Sequence, residues 1–558
     1  MILTLNSSTM RNPLMKRNRD TAKSRPQRRS QRKRTWTKSR RKTAPFKPLI
    51  QYLEEPLLQF SCGQKVSYPR DGLFLFGPVD AEEKRGPLKF GAIGTQEGIR
   101  RFRDWSNKLR SFIDIPKPGP RDRSVEPQHV PFPGFAEAFR REWPTEPIVS
   151  INDIDPDEIN RLIHIENRHE AIRNTVDQYV NRLIREHNRL EDPPTFWFVV
   201  IPEVIYELGR PQSFVPKEER TAGAVRISQK RARDLEIQPT LFKEDEQDAN
   251  VYKYATHFRR QLKARLLKDR IVTQIIRETT LTPDEFRREN GMPKRRVEDP
   301  GTIAWKLGTG AYYKGGGKPW QLADVRRGVC YVGLVYKQAE YAADLRHACC
   351  AAQMFLADGE GVVFRGALGP WFHTETKQFH LDHAAAKSLI EMVISEYQRD
   401  HDGPPRELFI HAKSAFSDEE WAGFGDACTR KTNLVGVQIV DAHDDLKLFR
   451  PGGYPVIRGT ALQTAANAAY LWTSGYVPRL DTYMGPETPN PVQIRVQRGR
   501  CRLTTVLKDI LGLTKINFNS CLFNDRLPVT IRFADAVGDV LMSAPIDCEP
   551  RLPFKFYI

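Results

Sequence analysis

Several apolar runs of strand length constrain the fold of this chain more than any other feature. "TFWFVVIPEVI" (195–205) is almost unbroken. "CYVGLVYK" (330–337) reads as a buried strand. Its two alternating sets, Cys330, Val332, Leu334, Tyr336 and Tyr331, Gly333, Val335, Lys337, are both dominated by β-formers. "PPRELFIHAK" and "NLVGVQIVDA" are further runs of this kind. Strands apolar on both faces need cover on both, so an α/β fold is expected.

The segments between these runs set the order of elements. Residues 45–115 mix short apolar runs with Gly and Pro, then read as strand, turn and helix, with Ile99, Phe102, Trp105 and Leu109 at helical spacing. Residues 115–134 are Pro-rich and read as a loop; 155–190 read as one charged helix; 210–250 read as polar and irregular. "ATHFRRQLKARLLKDRIVTQIIRETTL" predicts a basic helix, a short turn and a strand. Strand–helix–strand order predicts a small α/β sheet. From about residue 301 the pattern changes. "GVCYVGLVYKQ", "AAQMFLADGEG" and "GVVFRGAL" predict three successive strands. "HAAAKSLIEMVISEYQRDH" predicts a helix with Ala385, Leu389, Met392, Val393 and Ile394 toward the core, and more strands follow. That is the order of an RNase H-like fold.

Bulk properties narrow the setting. A chain of 558 residues holds two to four domains at roughly 100–200 residues each. No run approaches the roughly 18 apolar residues of a membrane span, and no apolar signal core opens the chain. Eight scattered cysteines without a CxxC pair argue against a zinc ribbon or a disulfide framework and predict a cytoplasmic protein. The net charge of +18 is concentrated: residues 1–42 carry 15 Lys and Arg against Asp20, which leaves +4 for the rest. That tail cannot bury enough surface to fold alone. It reads as a phosphate-binding arm, as a solvated extension, or as sequence upstream of an internal start at Met10 or Met15.

Three stretches could carry chemistry. In "RRQLKARLLKDRIVTQ", Arg259 and Lys263 lie four apart on one helical face, and Gln274 starts the next strand. Two cations and an amide could converge on one anion there, although alone the stretch reads first as a solvated basic helix. In "WKLGTGAYYKGGGKPW", Lys314 precedes three glycines, whose amides could approach a phosphate closely. The Walker A spacing is absent, and a Gly-rich turn after a helix is commonplace. The chain ends "RLPFKFYI", where Phe554, Phe556, Tyr557 and Ile558 would prefer burial. A carboxylate carried inward with them needs a partner, and a metal ion is one solution; an edge strand with its carboxylate in water is the other.

Taken together, "EPLLQF", "GLFLFGP", "IGTQEGIRRF", "VVIPEVIYE", "RRQLKARLL", "VTQIIRETTL", "IAWKLGTGAYYKGGGKPW", "YVGLVYKQ", "LTKINFNS", "LPVTIRFAD" and "PFKFYI" resemble the prokaryotic Argonautes. Within them, the match is to the short ones built of MID and PIWI domains, the Argonaute subunits of SPARTA- or SPARSA-type systems. The match runs from about residue 45 to the end. The resemblance implies a basic tail at 1–44, a Rossmann-like MID domain with its lead-in at 45–300, and an RNase H-like PIWI domain at 301–558. It implies that Arg259, Lys263, Gln274 and Lys314 hold the 5′-phosphate of a guide strand. It also implies that the carboxylate of Ile558 meets a Mg²⁺ that touches the guide.

Cutting Argonautes hold two Mg²⁺ with three acids and a fourth acid or His. By resemblance the first acid belongs where Val335 stands, and another where Lys413 stands in "FIHAKS". Glu375, Asp418, Glu419, Glu420 and Asp441 are nearby in sequence, and Asp535 or Asp539 is a separate final position. The expectation is a PIWI domain that does not cut. The implied partners are a guide RNA, a target single-stranded DNA and an APAZ-containing effector protein carrying a TIR, Sir2 or nuclease domain. No membrane is implied, and the assembly is a heterodimer or a higher oligomer on activation. A guide-directed endonuclease with a displaced metal site is the alternative.

Overall fold

A computed structural model describes residues 46–558, apart from 84, 116, 118–128, 239–241, 296, 325, 339–347, 356–360, 376, 443–445, 484, 486 and 546–550. The basic tail therefore lies outside the described residues. The first described strand, β1 (Leu49–Tyr52), joins the second of two large sheets. The first sheet is built from β2 (Phe90–Ile93), β3 (Val149–Ile151), β4 (Phe196–Ile201) and β5 (Thr273–Arg277) in the spatial order β3-β2-β4-β5. All its pairs are parallel. β2 and β4 are buried at every residue, as their unbroken apolar sequences predict.

Helix α1 (Gln96–Leu109) covers this sheet. Thr95 caps it by accepting the Gly98 amide, and Ile99, Phe102, Trp105 and Leu109 are buried as the spacing predicts. Phe90, Phe102 and Phe198 pack edge-on or tilted with ring centroids 4.8–6.0 Å apart. Two readings of this half need correction. Residues 155–190 form two helices, Pro156–Ile163 and Arg168–Arg189, because Asn167 caps the second by accepting the His169 and Glu170 amides. The segment read as irregular contains helices Gln229–Ile237 and Lys243–Val251. Their weak amphipathic pattern hid them from a periodicity argument.

Helix α2 (Phe258–Leu266) precedes β5, and α3 (Pro300–Lys314) leads into the second half. α3 is buried on nearly every side, so it acts as a core helix shared by both halves. Trp305 at its centre is fully buried against Phe132.

The second sheet has ten strands. They are β1, β6 (Val329–Gln338), β7 (Ala348–Phe355), β8 (Gly361–Gly369), β9 (Glu407–Ala412), β10 (Asn433–Asp441), β11 (Thr460–Ala465), β12 (Ala468–Leu471), β13 (Val492–Arg498) and β14 (Arg551–Pro553). Their order is β1-β11-β12-β13-β10-β9-β6-β7-β8-β14. β6, β7 and β8 pair antiparallel, while β6, β9 and β10 pair parallel. Three antiparallel strands flanked by parallel ones form the RNase H-like core. Helix α4 (His383–Asp400) packs on it, burying Leu389, Val393 and Ile394, with Ala386, Ile390 and Tyr397 alongside, while Ala385 and Met392 sit half-buried. Helix α5 (Val529–Leu541) crosses β6 at Gly333, where a Cβ would lie 1.9 Å from the Thr530 carbonyl oxygen. No described helix is long and apolar enough to cross a membrane.

An ion network fastens the lead-in segment to the second half. Arg458, 1% exposed, donates to Glu55 at 2.8 Å, and buried Lys515 donates to the same carboxylate at 2.6 Å. Burial alone would raise the Glu55 carboxyl, but the two cations outweigh it and hold it below the ordinary range. This stabilisation is complete above the ordinary carboxylate range and is lost as pH falls through the lowered value. Glu55→Ala, which removes the carboxylate facing two buried cations and the acceptor of the Lys515 ammonium, is expected to destabilise the protein by about 3–5 kcal/mol. Chemical denaturation at neutral pH measures it, and a loss below about 1 kcal/mol would mean that Arg458 and Lys515 find other partners.

Candidate anion-binding site

Three segments meet at the open end of β5. In α2, Phe258, Leu262 and Leu266 face the core, and Lys263 is carried inward beside them. Only 3% of Lys263 is exposed. Its ammonium donates to the Thr273 carbonyl at 3.0 Å, to the Thr273 hydroxyl at 3.3 Å and to a main-chain oxygen of Ile558 at 2.6 Å. An ammonium has three donors, and all three are used. Arg259, one turn earlier on the same face, stands at the exposed rim. Lys314, 1% exposed at the end of α3, donates to the Gln274 amide oxygen.

Arg259, Lys263, Gln274, Lys314 and Ile558 all line one cavity of about 360 Å³. The apolar end of the chain is buried as its residues predict, with Phe554, Phe556, Tyr557 and Ile558 each at most 8% exposed. The glycine expectation changes. The Gly315, Gly316 and Gly317 amides donate back to Ala311, Tyr313 and Tyr312 of α3. The glycines therefore terminate a helix, with Gly316 at φ +88°, and their amides do not aim into the cavity.

Sequence reasoning missed His257, Asn519, Tyr206 and Arg210, which line the same cavity. The guanidinium groups of Arg277 and Arg210 lie 3.4 Å and 4.0 Å from the Tyr206 ring centre. Asn519 comes from a loop with no periodic signal. His257 immediately precedes the Arg259 helix, and that adjacency was the one usable clue.

The electrostatics favour a multivalent anion. Burial pushes the Lys263 ammonium well below the usual lysine range, and Lys314 and Arg259 push it further. Burial and then Arg259 do the same to Lys314. His257 is lowered to about 4 by burial, then by Arg260, Arg259 and Arg210, so it is neutral at pH 7. Like charges confined in a desolvated pocket suppress one another, and an anion reverses that. Hard oxygen donors also meet here. A Cβ on Gly310 would lie 3.6 Å from the Gln274 amide oxygen and 3.9 Å from that of Asn519.

A second cavity of about 300 Å³ contains Val335, Lys377, Lys413 and Asp535. Val335 is 8% exposed on β6, and its isopropyl group offers no lone pair. Lys413, just past β9, forms an ion pair with Asp535 of α5. The other acids have separate partners. Glu420 accepts from the Tyr336 hydroxyl, Asp418 pairs with Arg498 at 2.5 Å, and Asp441 pairs with Arg526. Glu375 and Glu419 are exposed. Among the described residues, no three His, Cys, Asp or Glu side chains cluster to hold a metal.

No protein-family model matches the chain, and no curated protein is significantly similar in sequence. Solved structures do match. Clostridium butyricum Argonaute, bound to a guide DNA with 5′ deoxycytidine and a 19-mer target DNA, superposes with a TM-score of 0.56 at 15% identity, covering 92% of this chain and 55% of that one. The fold is Argonaute-like. A structure of Aquifex aeolicus Argonaute gives a TM-score of 0.51 at 13% identity, covering 91% of this chain and 57% of the other. Aa-Ago with externally bound siRNA gives 0.51 at 14% identity, with 91% and 56% covered. This chain thus spans little more than half the length of these Argonautes, and its two sheets resemble their MID and PIWI lobes.

A divalent anion in the first cavity favours charged Lys263 and Lys314, so binding takes up protons and tightens as pH falls. Titration calorimetry of sulfate in buffers of different ionisation heat, at mildly alkaline pH, is expected to show net proton uptake. Zero uptake would mean that both lysines are already fully charged.

Proposed function

We propose that this chain is the guide-binding, target-sensing subunit of a short prokaryotic Argonaute defence system. The observation that carries the reading is the convergence of Arg259, Lys263, Gln274, Lys314 and Ile558, drawn from α2, β5, α3 and the chain terminus, on one cavity. Buried cations facing a single main-chain terminus suit a phosphate better than a neutral ligand. In this reading Lys314 donates to the 5′-phosphate of a guide from below, Lys263 attracts it by its charge while its donors stay on Thr273 and Ile558, and Arg259 closes over it from the rim. Gln274 fixes the Lys314 ammonium. The Ile558 carboxylate, with phosphate oxygens, would hold a Mg²⁺; that ion offsets repulsion between carboxylate and phosphate.

The guide, an RNA in this reading, pairs with single-stranded DNA from an invader, so sequence is read by base pairing. The chain does not cut. Val335 and Lys413 support this, because neither side chain can ligate Mg²⁺ and Lys413 is already paired with Asp535. The output belongs to an APAZ-containing partner with a TIR or Sir2 domain that consumes NAD, or with a nuclease domain.

Two results test the reading. Lys263→Ala is expected to weaken binding of a 5′-phosphorylated strand by about tenfold or more, the loss of a nearby desolvated positive charge, while a 5′-hydroxyl strand is little affected. Equal losses for both strands would remove the phosphate pocket. Incubation of the loaded chain with a labelled complementary strand and Mg²⁺ or Mn²⁺ is expected to leave that strand intact. A specific cut would favour the endonuclease with a displaced metal site.

A further inference from the structure

A third cavity, of about 480 Å³, is larger than either cavity above, and no role assigned so far uses it. Its size falls within the roughly 300–1,000 Å³ of small-molecule sites. The lead-in segment, the ends of α3 and α4, and the outermost strands β8 and β14 enclose it. One wall is aromatic. The rings of Tyr313 and Phe518 have centroids 5.1 Å apart, and Phe518 is backed edge-on by buried Trp320 at 5.2 Å. Phe518 is 4% exposed and Tyr313 is half-buried, so Tyr313 is the ring that a ligand can reach. A ring held in this way stacks on a planar partner at low entropic cost.

Lys555 supplies a charge beside that ring. Phe554 and Phe556 on either side of it are buried, which fixes the backbone that carries it. Lys555 is half-buried, and among the described residues its ammonium has no hydrogen-bond or ion-pair partner. Burial lowers its proton affinity, and no carboxylate offsets that. The other charges of the lining are committed or solvated. Arg85 pairs with Asp80 at 3.1 Å and with Glu83 at 2.5 Å. Asp80 also accepts from the Tyr312 hydroxyl at 2.6 Å and from the Lys318 amide at 2.7 Å. Glu83 is answered by Arg85 and by nearby Lys318, and Asp400 is exposed. The cavity thus offers one uncommitted positive charge next to one open aromatic face.

We propose that this cavity binds a small planar aromatic molecule carrying a single negative charge, with its ring on Tyr313 and its anionic group on Lys555. A terminal phosphate carries a charge of about −1.5 to −2 at neutral pH, and its second charge would face Asp80, Glu83 and Asp400. An aromatic carboxylate and a nucleotide closed into a phosphodiester each carry one charge, and these are the two sources of such a ligand. The first cavity makes the opposite choice, because Arg259, Lys263 and Lys314 converge there.

Titration calorimetry of the full chain with naphthoate and with cyclic AMP separates the two sources, and the tighter probe names the one used. Tyr313 adjoins Lys314, and Lys555 lies close before Ile558 in the chain. The titrations are therefore run with excess sulfate, which fills the first cavity. The neutral counterparts, naphthamide and adenosine, are expected to bind about tenfold or more weakly, the loss of one charge-assisted hydrogen bond. Lys555→Met is expected to cost the tighter probe about the same factor. Lys555→Arg, which keeps the charge, is expected to hold binding within about threefold. Tyr313→Leu is expected to weaken it about fivefold or more, through lost stacking. No binding by either probe, equal binding of charged and neutral forms, or an affinity that Lys555→Met leaves unchanged overturns the proposal. Displacement of the probe by sulfate places it in the first cavity and also overturns the proposal. The comparison of charged with neutral probes uses the unaltered protein, so it decides the matter even where a variant fails to fold.

Discussion

The buried ammonium of Lys263 ties this molecule together at its functional end. It holds Thr273 at the start of β5 and Ile558 at the end of the chain, and so joins the parallel sheet to the last residues of the RNase H-like half. A lysine is rarely buried this deeply unless its donors are satisfied. Here they are, yet the local charge is not balanced, because Lys314 and Arg259 share the cavity. The same group therefore locks the domains together and biases the cavity toward anions. Stability and binding chemistry rest on one desolvated charge.

The first two cavities use charge in opposite ways. In the first, cations are buried and crowded, and both effects lower their proton affinity, so an incoming anion is rewarded by relieving that crowding. In the second, cations stand half in solvent and are neutralised by aspartates on α5. A buried site discriminates strongly because water cannot substitute for the ligand. An exposed one is weaker and salt-sensitive because water and ions can.

Legibility differed between segments for physical reasons. α1 was plain because Ile99, Phe102, Trp105 and Leu109 repeat at helical spacing. The helices at 229–251 were not, because their polar sequence lacks such a face. Arg259, Lys263 and Gln274 could be grouped because a helix, turn and strand bring near neighbours together. The glycines after Lys314 misled, since a glycine run that could cradle a phosphate can equally cap a helix. The pairing of Lys413 with Asp535 joins residues 122 positions apart, and no local pattern marks such a contact.

The sequence by itself determined the α/β class, the succession of buried strands, the inward turn of the apolar terminus and the absence of a carboxylate at 335. These follow from side-chain hydrophobicity and spacing, which act locally. Only the tertiary structure decided that β1 belongs to the second sheet, that five residues from four segments share one cavity, and that Asp535 and Asp539 answer Lys413, Lys337 and Arg260. Those outcomes depend on long-range strand pairing and on how α5 settles over Gly333. The energy that fixes them comes from burial shared by the whole core, so no stretch of sequence carries the information alone.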